Sequence, residues 1–396
     1  MCLRLTTETM KVLVIHTRYK VPGGEEEVFS AETALFREKG HEVATLVMEN
    51  KELDLFPLPK QAAVTLWNPA AFKRVHQLME THRPEVVHLH NIFPLCSPSV
   101  IHAAKRRGIP VVMTLHNYRL LCVNALLFRS GSPCEECLGR FPWRGIFRRC
   151  YRSSILASAV VAATLGLHRS LGTWRLVDRY IALTEFARKK FLQAGFPVEK
   201  VVVKPNFLSP DPGRGEGGGG YALFVGRLSP EKGIRTLLDA WQRMTRRIPL
   251  KIVGDGPLAG EMENKIMGMP QVEWLGRKPR EDVIALMDKA EFLVFPSEWY
   301  EGFPLVLLEA LAKGLPVLTT STGSQATIVK DGLTGLHFKP GDARDLAAKA
   351  DWMASHREEL LGMRERARQE YEAHYAASTN YELLMAIYKK VTGGSK

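Results

Sequence analysis

Residues 292–321 read FLVFPSEWYEGFPLVLLEALAKGLPVLTTS, and this stretch decides the fold of the second half of the chain. Phe292 to Phe295 is an apolar run that predicts a buried strand, and Leu305 to Lys313 predicts a helix that ends at Gly314. Pro316 to Thr320 predicts the next strand. A strand, a loop, a helix and a second strand form the unit of a parallel α/β sheet, in which ligands bind at the carboxyl ends of the strands.

Two carboxylates of this unit predict a binding site. Glu301 stands in the predicted loop, and Glu309 follows a little over two helical turns later, on about the same side. Both can accept hydrogen bonds from hydroxyl groups, and the helix N-terminus between them offers unpaired N–H groups to an anion. A sugar joined to a diphosphate suits such a site. The alternative is that Glu301 caps the helix and Glu309 is a solvated surface residue.

The residues around these carboxylates resemble the signature of a known family. Residues 296–317 read P-S-x-x-x-E-G-F-P-x-x-x-x-E-A-x-A-x-G-x-P-V, which resembles the E-x7-E signature of the retaining glycosyltransferases of family 4. The resemblance implies the GT-B fold, an α/β architecture of two facing Rossmann-like domains with parallel sheets and a cleft between them. It also implies transfer of a sugar from a nucleotide-diphosphate sugar to an acceptor hydroxyl with retained configuration, in polysaccharide or glycolipid synthesis.

Roles follow from this resemblance. Glu301 would orient the hydroxyls of the transferred sugar, and Glu309 would bind the ribose hydroxyls, so the pair is interpreted as a donor clamp in which neither carboxylate needs to be an acid or a base. The neighbouring residues of the predicted donor site are Gly302, Phe303, Pro304 and Leu305.

Two cations in the second half are predicted to bind the diphosphate. Gly226 ends a predicted strand, and the loop GRLSPEKG contains Arg227 and Lys232. Arg offers a planar fork and Lys a point charge, and both would stabilise the charge that develops on a leaving diphosphate. This string is also the diphosphate motif of the resembling family. Surface cations without a ligand are the alternative.

Two further corners, at Gly254 and Arg277, follow predicted strands of the second half. In relatives, corners at these places flank the nucleotide base. No D-x-D pair stands at a strand end to hold a divalent cation, so we predict that no metal takes part in catalysis.

The first half opens with a strand, a glycine loop and a helix. Lys11 to His16 predicts a buried strand, and Gly23 and Gly24 precede a helix predicted from Glu25 to Lys39. Because the pattern is not G-x-G-x-x-G, it gives little support to dinucleotide binding. A tight turn that requires glycine is one interpretation. The resemblance implies that both glycines face the cleft, near the donor phosphate and the acceptor.

Two His-Asn pairs fall at the ends of predicted strands in this half. His90 follows residues 86–89 and His116 follows residues 111–115, and such strand ends form one edge of a parallel sheet. We expect His90 and Asn117 on the acceptor side. The resemblance implies that His116 contacts the transferred sugar. Relatives often carry Asp after this His, whereas this chain has Asn117, so the acceptor contacts stay open.

Four cysteines cluster after these histidines, in the pattern C-x11-C-x2-C-x12-C. A C-x2-C pair with two outer thiols suits a tetrahedral structural zinc ion, which would fix this insertion and take no part in catalysis. Plain reduced thiols and a redox or disulfide role are the alternatives, although a structural disulfide is unusual in a cytoplasmic chain. The candidate ligands are Cys122, Cys134, Cys137 and Cys150.

The length of the chain, 396 residues, predicts two domains, because it exceeds one ordinary hydrophobic core. Residues 209–220, SPDPGRGEGGGG, have no side chains suited to a core and predict a flexible linker. The resemblance assigns the acceptor to an N-terminal domain of residues 1–208 and the nucleotide sugar to a C-terminal domain of residues 221–375. It also implies that a last helix, within residues 376–396, crosses back to the first domain.

Composition and charge indicate the compartment and the partners. No apolar run reaches about 18 residues, and residues 1–10 lack the apolar core of a secretory signal, so we expect a cytoplasmic protein. The formal net charge is +12, and an Arg-rich part lies between Arg140 and Lys190. No nucleic-acid motif accompanies it, so an anionic substrate or an anionic membrane surface is the predicted partner, with a plain soluble surface as the alternative.

Residues 153–177 are rich in Ala, Val and Leu and predict one long helix. A core helix is one interpretation, and a surface for the inner face of a membrane or for a lipid-linked acceptor is the other. Two rival functions also stay open, a GT-B nucleotide-sugar epimerase and a non-enzymatic membrane-associated scaffold. The residues leave both front-face retention and double displacement open as mechanisms.

Overall fold

Two six-stranded sheets, whose paired strands all run parallel, form the two halves of the chain in the computed structural model, which describes residues 9–20 and 23–393. Residues 1–8, which carry most of the prediction about a secretory signal, and Val21 and Pro22 of the glycine loop lie outside the described residues. The strands of the first half are β1 (Lys11–Arg18), β2 (Glu42–Glu49), β3 (Val86–Asn91), β4 (Val111–Leu115), β5 (Phe128–Arg129), β6 (Ser132–Pro133), β7 (Arg179–Ala182) and β8 (Val201–Val203). The six-stranded sheet has the order β2-β1-β3-β4-β7-β8, and β5 and β6 form a separate antiparallel pair.

Helices alternate with these strands, as the sequence predicts. They are α1 (Gly24–Glu38), α2 (Leu58–Leu66), α3 (Pro69–His82), α4 (Ser99–Arg106), α5 (Trp143–Phe147), α6 (Ile155–Ser170) and α7 (Glu185–Gln193). The side chains of β1 alternate between two apolar clusters, with Leu13 and Ile15 in one and Val12 and Val14 in the other. The sheet is therefore buried on both faces, which explains why its strands read as continuous apolar runs.

The second half repeats this plan. Its strands are β9 (Ala222–Val225), β10 (Leu250–Val253), β11 (Val272–Trp274), β12 (Phe292–Phe295), β13 (Val317–Thr320) and β14 (Gly335–Phe338). Its helices are α8 (Ile234–Arg243), α9 (Ala259–Ile266), α10 (Arg280–Lys289), α11 (Leu305–Ala312), α12 (Gln325–Ile328), α13 (Ala343–Ser355), α14 (Arg357–His374) and α15 (Ala377–Thr392). The sheet order is β11-β10-β9-β12-β13-β14. The two parallel α/β domains confirm the predicted GT-B architecture.

The last helix, α15, packs against the first half. The hydroxyl of Tyr388 lies 2.7 Å from Nδ1 of His88, and the hydroxyl of Tyr381 lies 2.7 Å from Nε2 of His41. Leu384 and Tyr388 also join the apolar cluster that contains Val12. The chain thus returns to its first sheet after it completes the second one.

The linker of residues 209–220 is held in place, in contrast to the flexible connector that its composition predicts. Its backbone N–H groups at Gly215, Gly217 and Gly219 donate to carbonyl oxygens of the second half at 2.9, 2.8 and 2.8 Å. A Cβ at Gly219 would lie 2.7 Å from the carbonyl oxygen of Lys289. The glycines therefore allow close backbone contact with the second half, and composition alone does not reveal this.

The helix predicted over residues 153–177 is shorter in the structure and partly exposed. It ends at Ser170, and Gly172, with a φ of 67°, separates it from a short 3₁₀ helix. Val161, Ala162 and Leu165 are buried, whereas Leu156 is 76% exposed. Among the described residues, no helix is long and apolar enough to cross a membrane.

Candidate active site

A cleft of about 940 Å³ lies between the two halves, at the carboxyl ends of their strands. In the first half, β1 leads to Gly24 and β4 leads to His116, and in the second half β9 leads to Gly226 and Lys232. The further polar and turn residues that line the cleft are Glu25, Glu27, Asn206, Arg277, Lys278, Arg280, Trp299, Glu301, Gly302, Phe303, Pro304, Leu305 and Glu309. The two sheet edges therefore bring together most of the residues predicted for the donor site.

Glu301 is buried in this cleft and fixed by two side chains. Lys232 donates from Nζ to Oε1 of Glu301 at 2.6 Å, and Ser297 donates from Oγ to the same oxygen at 2.6 Å. Among the described residues no side chain donates to Oε2 of Glu301. One carboxylate oxygen is thus anchored, and the other can accept a hydrogen bond from a ligand hydroxyl.

Glu309 lies on α11 and is also buried. Nε of Arg280 donates to its Oε1 at 3.0 Å. Burial raises the pKa of the Glu309 carboxyl, and the charge of Arg280 opposes this rise. Arg277 and Lys278 stand just before Arg280, so three cations form one wall of the cleft. Sequence reasoning identified Arg277 alone, because Arg280 begins a helix that no motif marks.

Gly302 sets how closely the two halves approach. A Cβ at Gly302 would lie 2.2 Å from the carbonyl oxygen of His116, in the facing half. A Cβ at Gly24 would lie 3.2 Å from Cδ1 of Leu305, also across the cleft. The loops that carry the predicted sugar-binding residues are therefore in contact.

Three residues predicted for the donor site do not line the cleft. Arg227 is exposed, although it shares a loop with Lys232. Gly254 packs behind Gly226, because a Cβ at Gly254 would lie 1.8 Å from the Gly226 carbonyl oxygen. Gly23 precedes α1, and its N–H donates to Oε2 of Glu26 at 2.8 Å.

His116 is backed by a chain of buried groups. Its Nε2 lies 3.0 Å from Nδ1 of His90, and Nε2 of His90 lies 3.2 Å from Oε1 of Glu32. Burial lowers the pKa of His116 well below its usual value, and the neighbouring His90 lowers it further. A neutral His116 can form a hydrogen bond with a ligand in the cleft, whereas His90 lies behind it.

Glu32, His88 and His90 are the one group among the described residues whose candidate metal-ligand atoms lie within 4.8 Å of one another. Nζ of Lys204 lies 2.9 Å from Oε2 of Glu32, and the hydroxyl of Tyr388 lies 2.7 Å from Nδ1 of His88. Lys204 therefore balances the charge of the Glu32 carboxylate within this group.

Glu25 is a cleft carboxylate that sequence reasoning missed. Its Oε2 accepts hydrogen bonds from the Tyr19 hydroxyl at 3.3 Å and from Nδ2 of Asn117 at 3.5 Å. Burial raises the pKa of Glu25 to about 8. Asn117, the residue that leaves the predicted acceptor side without a carboxylate, thus lies beside one from α1. The sequence signal that could have placed Glu25 in the cleft is its position directly after the glycine pair.

The four cysteines predicted as zinc ligands line one small cavity, of about 20 Å³. Residues of β5 and α5 complete its wall. All four are free thiols, and no three of their Sγ atoms lie within 4.8 Å of one another. Binding of one ion by all four would therefore require their Sγ atoms to move closer together, and the zinc assignment stays a prediction.

Two family models match the chain, one over each half. Residues 22–211 match the model described as Glycosyltransferase Family 4, and residues 213–370 match the model described as Glycosyl transferases group 1. The two matches meet within the linker. Together with the fold, these matches support a GT-B glycosyltransferase.

Similar proteins agree with this class. The uncharacterized glycosyltransferase MJ1178 of Methanocaldococcus jannaschii is 38% identical over 136 residues, which are 34% of this chain and only 38% of that protein. The O-antigen chain mannosyltransferase C of Escherichia coli is 28% identical over 335 residues, which are 83% of this chain and 81% of that protein. The solved structure of Anabaena Alr3699/HepE in complex with UDP-glucose has a TM-score of 0.68 at 18% identity, over 96% of this chain and 100% of that one. At this identity the last comparison shows a shared fold.

Proposed function

We propose that this chain transfers a sugar from a nucleotide-diphosphate sugar to a hydroxyl of a glycan or lipid-linked acceptor, with retention of the anomeric configuration. The observation that carries the proposal is the ion pair of half-buried Lys232 with buried Glu301, in a cleft that His116 lines from the other half. A carboxylate, a cation and a neutral imidazole match the hydroxyls and the diphosphate of such a donor. The family matches, and the UDP-glucose bound to HepE, support the same donor class.

The second half would stabilise the leaving group. When the bond between sugar and phosphate breaks, its electron pair passes to the diphosphate. Lys232 and the free N–H groups in the first turn of α11 stabilise that charge without reorganisation. Arg277 and Arg280 attract the nucleotide to the same wall, and Glu309 accepts hydrogen bonds from the ribose.

The contacts of the Glu301 carboxylate would favour front-face retention. Oε1 of Glu301 is bound to both Lys232 and Ser297, so its remaining oxygen orients a sugar hydroxyl and is a weak nucleophile. The acceptor hydroxyl attacks on the face that the diphosphate leaves, and the diphosphate takes its proton. No step in this scheme requires a metal ion.

A donor screen followed by product analysis tests the proposal. We expect one of UDP-, GDP-, ADP- or TDP-sugars to raise the melting temperature, and NMR of the product to show the anomeric configuration of the donor. EDTA should leave turnover unchanged. Inverted product would refute retention. Conversion of the donor to an isomer without any acceptor would instead identify an epimerase.

A further inference from the structure

An apolar groove lies on the first half, outside the cleft. It has a volume of about 480 Å³ and runs between α2 and α6. Leu58, Phe93, Tyr151, Leu156 and Val160 are among the side chains that line it. Leu58 is 74% exposed, and Leu156 is 76% exposed. Large apolar side chains that border an open groove indicate a ligand with an apolar part.

A smaller cavity, of about 40 Å³, shares lining residues with both the cleft and the groove. His116 borders both the cleft and this middle cavity, and Phe93 borders both the middle cavity and the groove. His116 and Phe93 are therefore shared walls between the predicted sugar site, this cavity and the apolar groove.

Two arginines mark where a negative charge of this ligand would lie. Arg119 lines the middle cavity, and its guanidinium lies 4.6 Å from the ring centre of Phe93 and 5.1 Å from that of Tyr151. Arg152 lines the groove and lies 5.3 Å from the ring centre of Tyr151. Neither arginine forms an ion pair with a carboxylate of the described residues. Cations without a carboxylate partner beside an apolar groove fit a phosphate that carries a hydrocarbon chain.

We propose that this groove binds the hydrocarbon chain of a lipid-linked acceptor, whose phosphate lies at Arg119 and Arg152 and whose hydroxyl head reaches His116. The assignment rests on the proposed glycosyltransferase function and names the class of its acceptor. Each methylene group placed in the groove leaves water, and the two arginines distinguish the lipid phosphate from a neutral lipid.

Binding of decyl phosphate, kept below its micelle concentration, tests the groove directly. Calorimetry with the full chain should show binding that decanol and inorganic phosphate do not match. Ala157→Trp fills the groove, because Ala157 lines it on α6, and should weaken decyl phosphate binding about tenfold or more. Leu167→Trp, on an exposed part of the same helix, is the matched control and should bind as the wild type does.

The phosphate contact is tested with Arg152→Ala, because Arg152 is exposed and its loss spares the core. This variant should lose about tenfold in affinity for decyl phosphate. Nucleotide-sugar binding, measured on the same samples, should stay unchanged in all three variants. If the wild type binds no nucleotide sugar, the proposed function is contradicted. If the wild type binds a nucleotide sugar but no decyl phosphate, the groove assignment alone is overturned.

A membrane surface is the competing occupant. In one outcome, phosphatidylglycerol vesicles bind the wild type and Ala157→Trp equally, and decyl phosphate binds neither protein. This outcome would show adsorption to the membrane surface and would overturn the proposal. Vesicle binding that falls in Ala157→Trp and is competed by decyl phosphate would support it.

Discussion

Nζ of Lys232 lies 2.6 Å from Oε1 of Glu301, so the loop after β9 and the loop after β12 are joined by an ion pair inside the cleft. Ser297 donates to the same oxygen. The pair combines the two functions that the sequence assigns to separate motifs, one for the diphosphate and one for the sugar. Substitution of either Lys232 or Glu301 therefore affects both functions, because it leaves the charge of the other residue partly buried and uncompensated.

Lys232→Ala and Glu301→Gln should each lower kcat/KM for the donor by about 100-fold or more, through lost stabilisation of the leaving charge or of the sugar hydroxyls. Circular dichroism should show that both variants keep the fold. Arg235→Ala is the control, since Arg235 lies on α8 and pairs with Glu261 at the surface. Near-normal turnover of either cleft variant, with the true donor, would refute the site assignment.

Gly302→Ala should lower kcat/KM about tenfold or more, because the added Cβ would lie 2.2 Å from the His116 carbonyl oxygen and must push the facing loops apart. Gly260→Ala on α9 is the matched control, since its Cβ would meet no atom within 4 Å. Steady-state kinetics of both variants check this. Equal activity of the two would mean that the contact at Gly302 does not position the sugar site.

The sequence predicts the parallel α/β halves, because apolar runs, glycine corners and strand ends are local signals. The cleft and the roles in the E-x7-E unit follow from the family resemblance instead. Glu25 and Arg280 escape prediction, since their importance depends on which helix N-termini face the cleft. The role of Arg227 stays a prediction. Its motif indicates a ligand contact, yet its side chain is exposed while Lys232, in the same loop, turns inward.

The predicted flexibility of the linker, residues 209–220, disagrees with the structure for a related reason. Its glycine content predicts flexibility. In the structure, however, the backbone N–H groups of these glycines donate to carbonyl oxygens of residues 288, 289 and 313, which are distant in sequence. Composition reports which conformations a segment can adopt, and tertiary contacts select one of them.

Glu309→Gln should raise KM for the donor about tenfold with little change in kcat, because hydrogen bonds from the ribose to a charged acceptor contribute on the order of 1.5–3 kcal/mol to binding. The variant removes the negative charge opposite Arg280 but keeps the side-chain shape and an oxygen that can accept the hydrogen bond from Nε of Arg280. Glu261→Gln, at the surface, is the control. A large fall in kcat at saturating donor would assign Glu309 a role in the chemical step.

The four-cysteine cavity should contain one zinc ion per chain, measured by elemental analysis after purification without chelators. Cobalt substitution should give the visible bands of a tetrahedral thiolate site, and Cys134→Ser or Cys137→Ser should abolish them. Cys96→Ala is the control, because Cys96 is buried in the core of the first half, away from this cavity. Metal-free protein whose four thiols all react with a thiol reagent would identify plain reduced cysteines.

Glu25 should make the stability of the fold depend on pH. Its pKa rises from 4.5 to about 8 on folding, mainly through burial, so the folded state binds more protons than the unfolded state between these values. The stability contribution of Glu25 is therefore complete below about pH 4.5 and is lost as pH rises through about 8. The loss amounts to a few kcal/mol, at about 1.4 kcal/mol per pKa unit.

Glu25→Gln removes the titratable carboxyl group and should therefore weaken the dependence of stability on pH. Urea unfolding across pH 4.5 to 9 should show that the wild type loses stability relative to Glu25→Gln as pH rises, with most of the change complete near pH 8. Glu38→Gln, at the far end of α1, should keep the wild-type profile. Parallel curves for wild type and Glu25→Gln would mean that the Glu25 carboxyl ionises as freely in the cleft as in water.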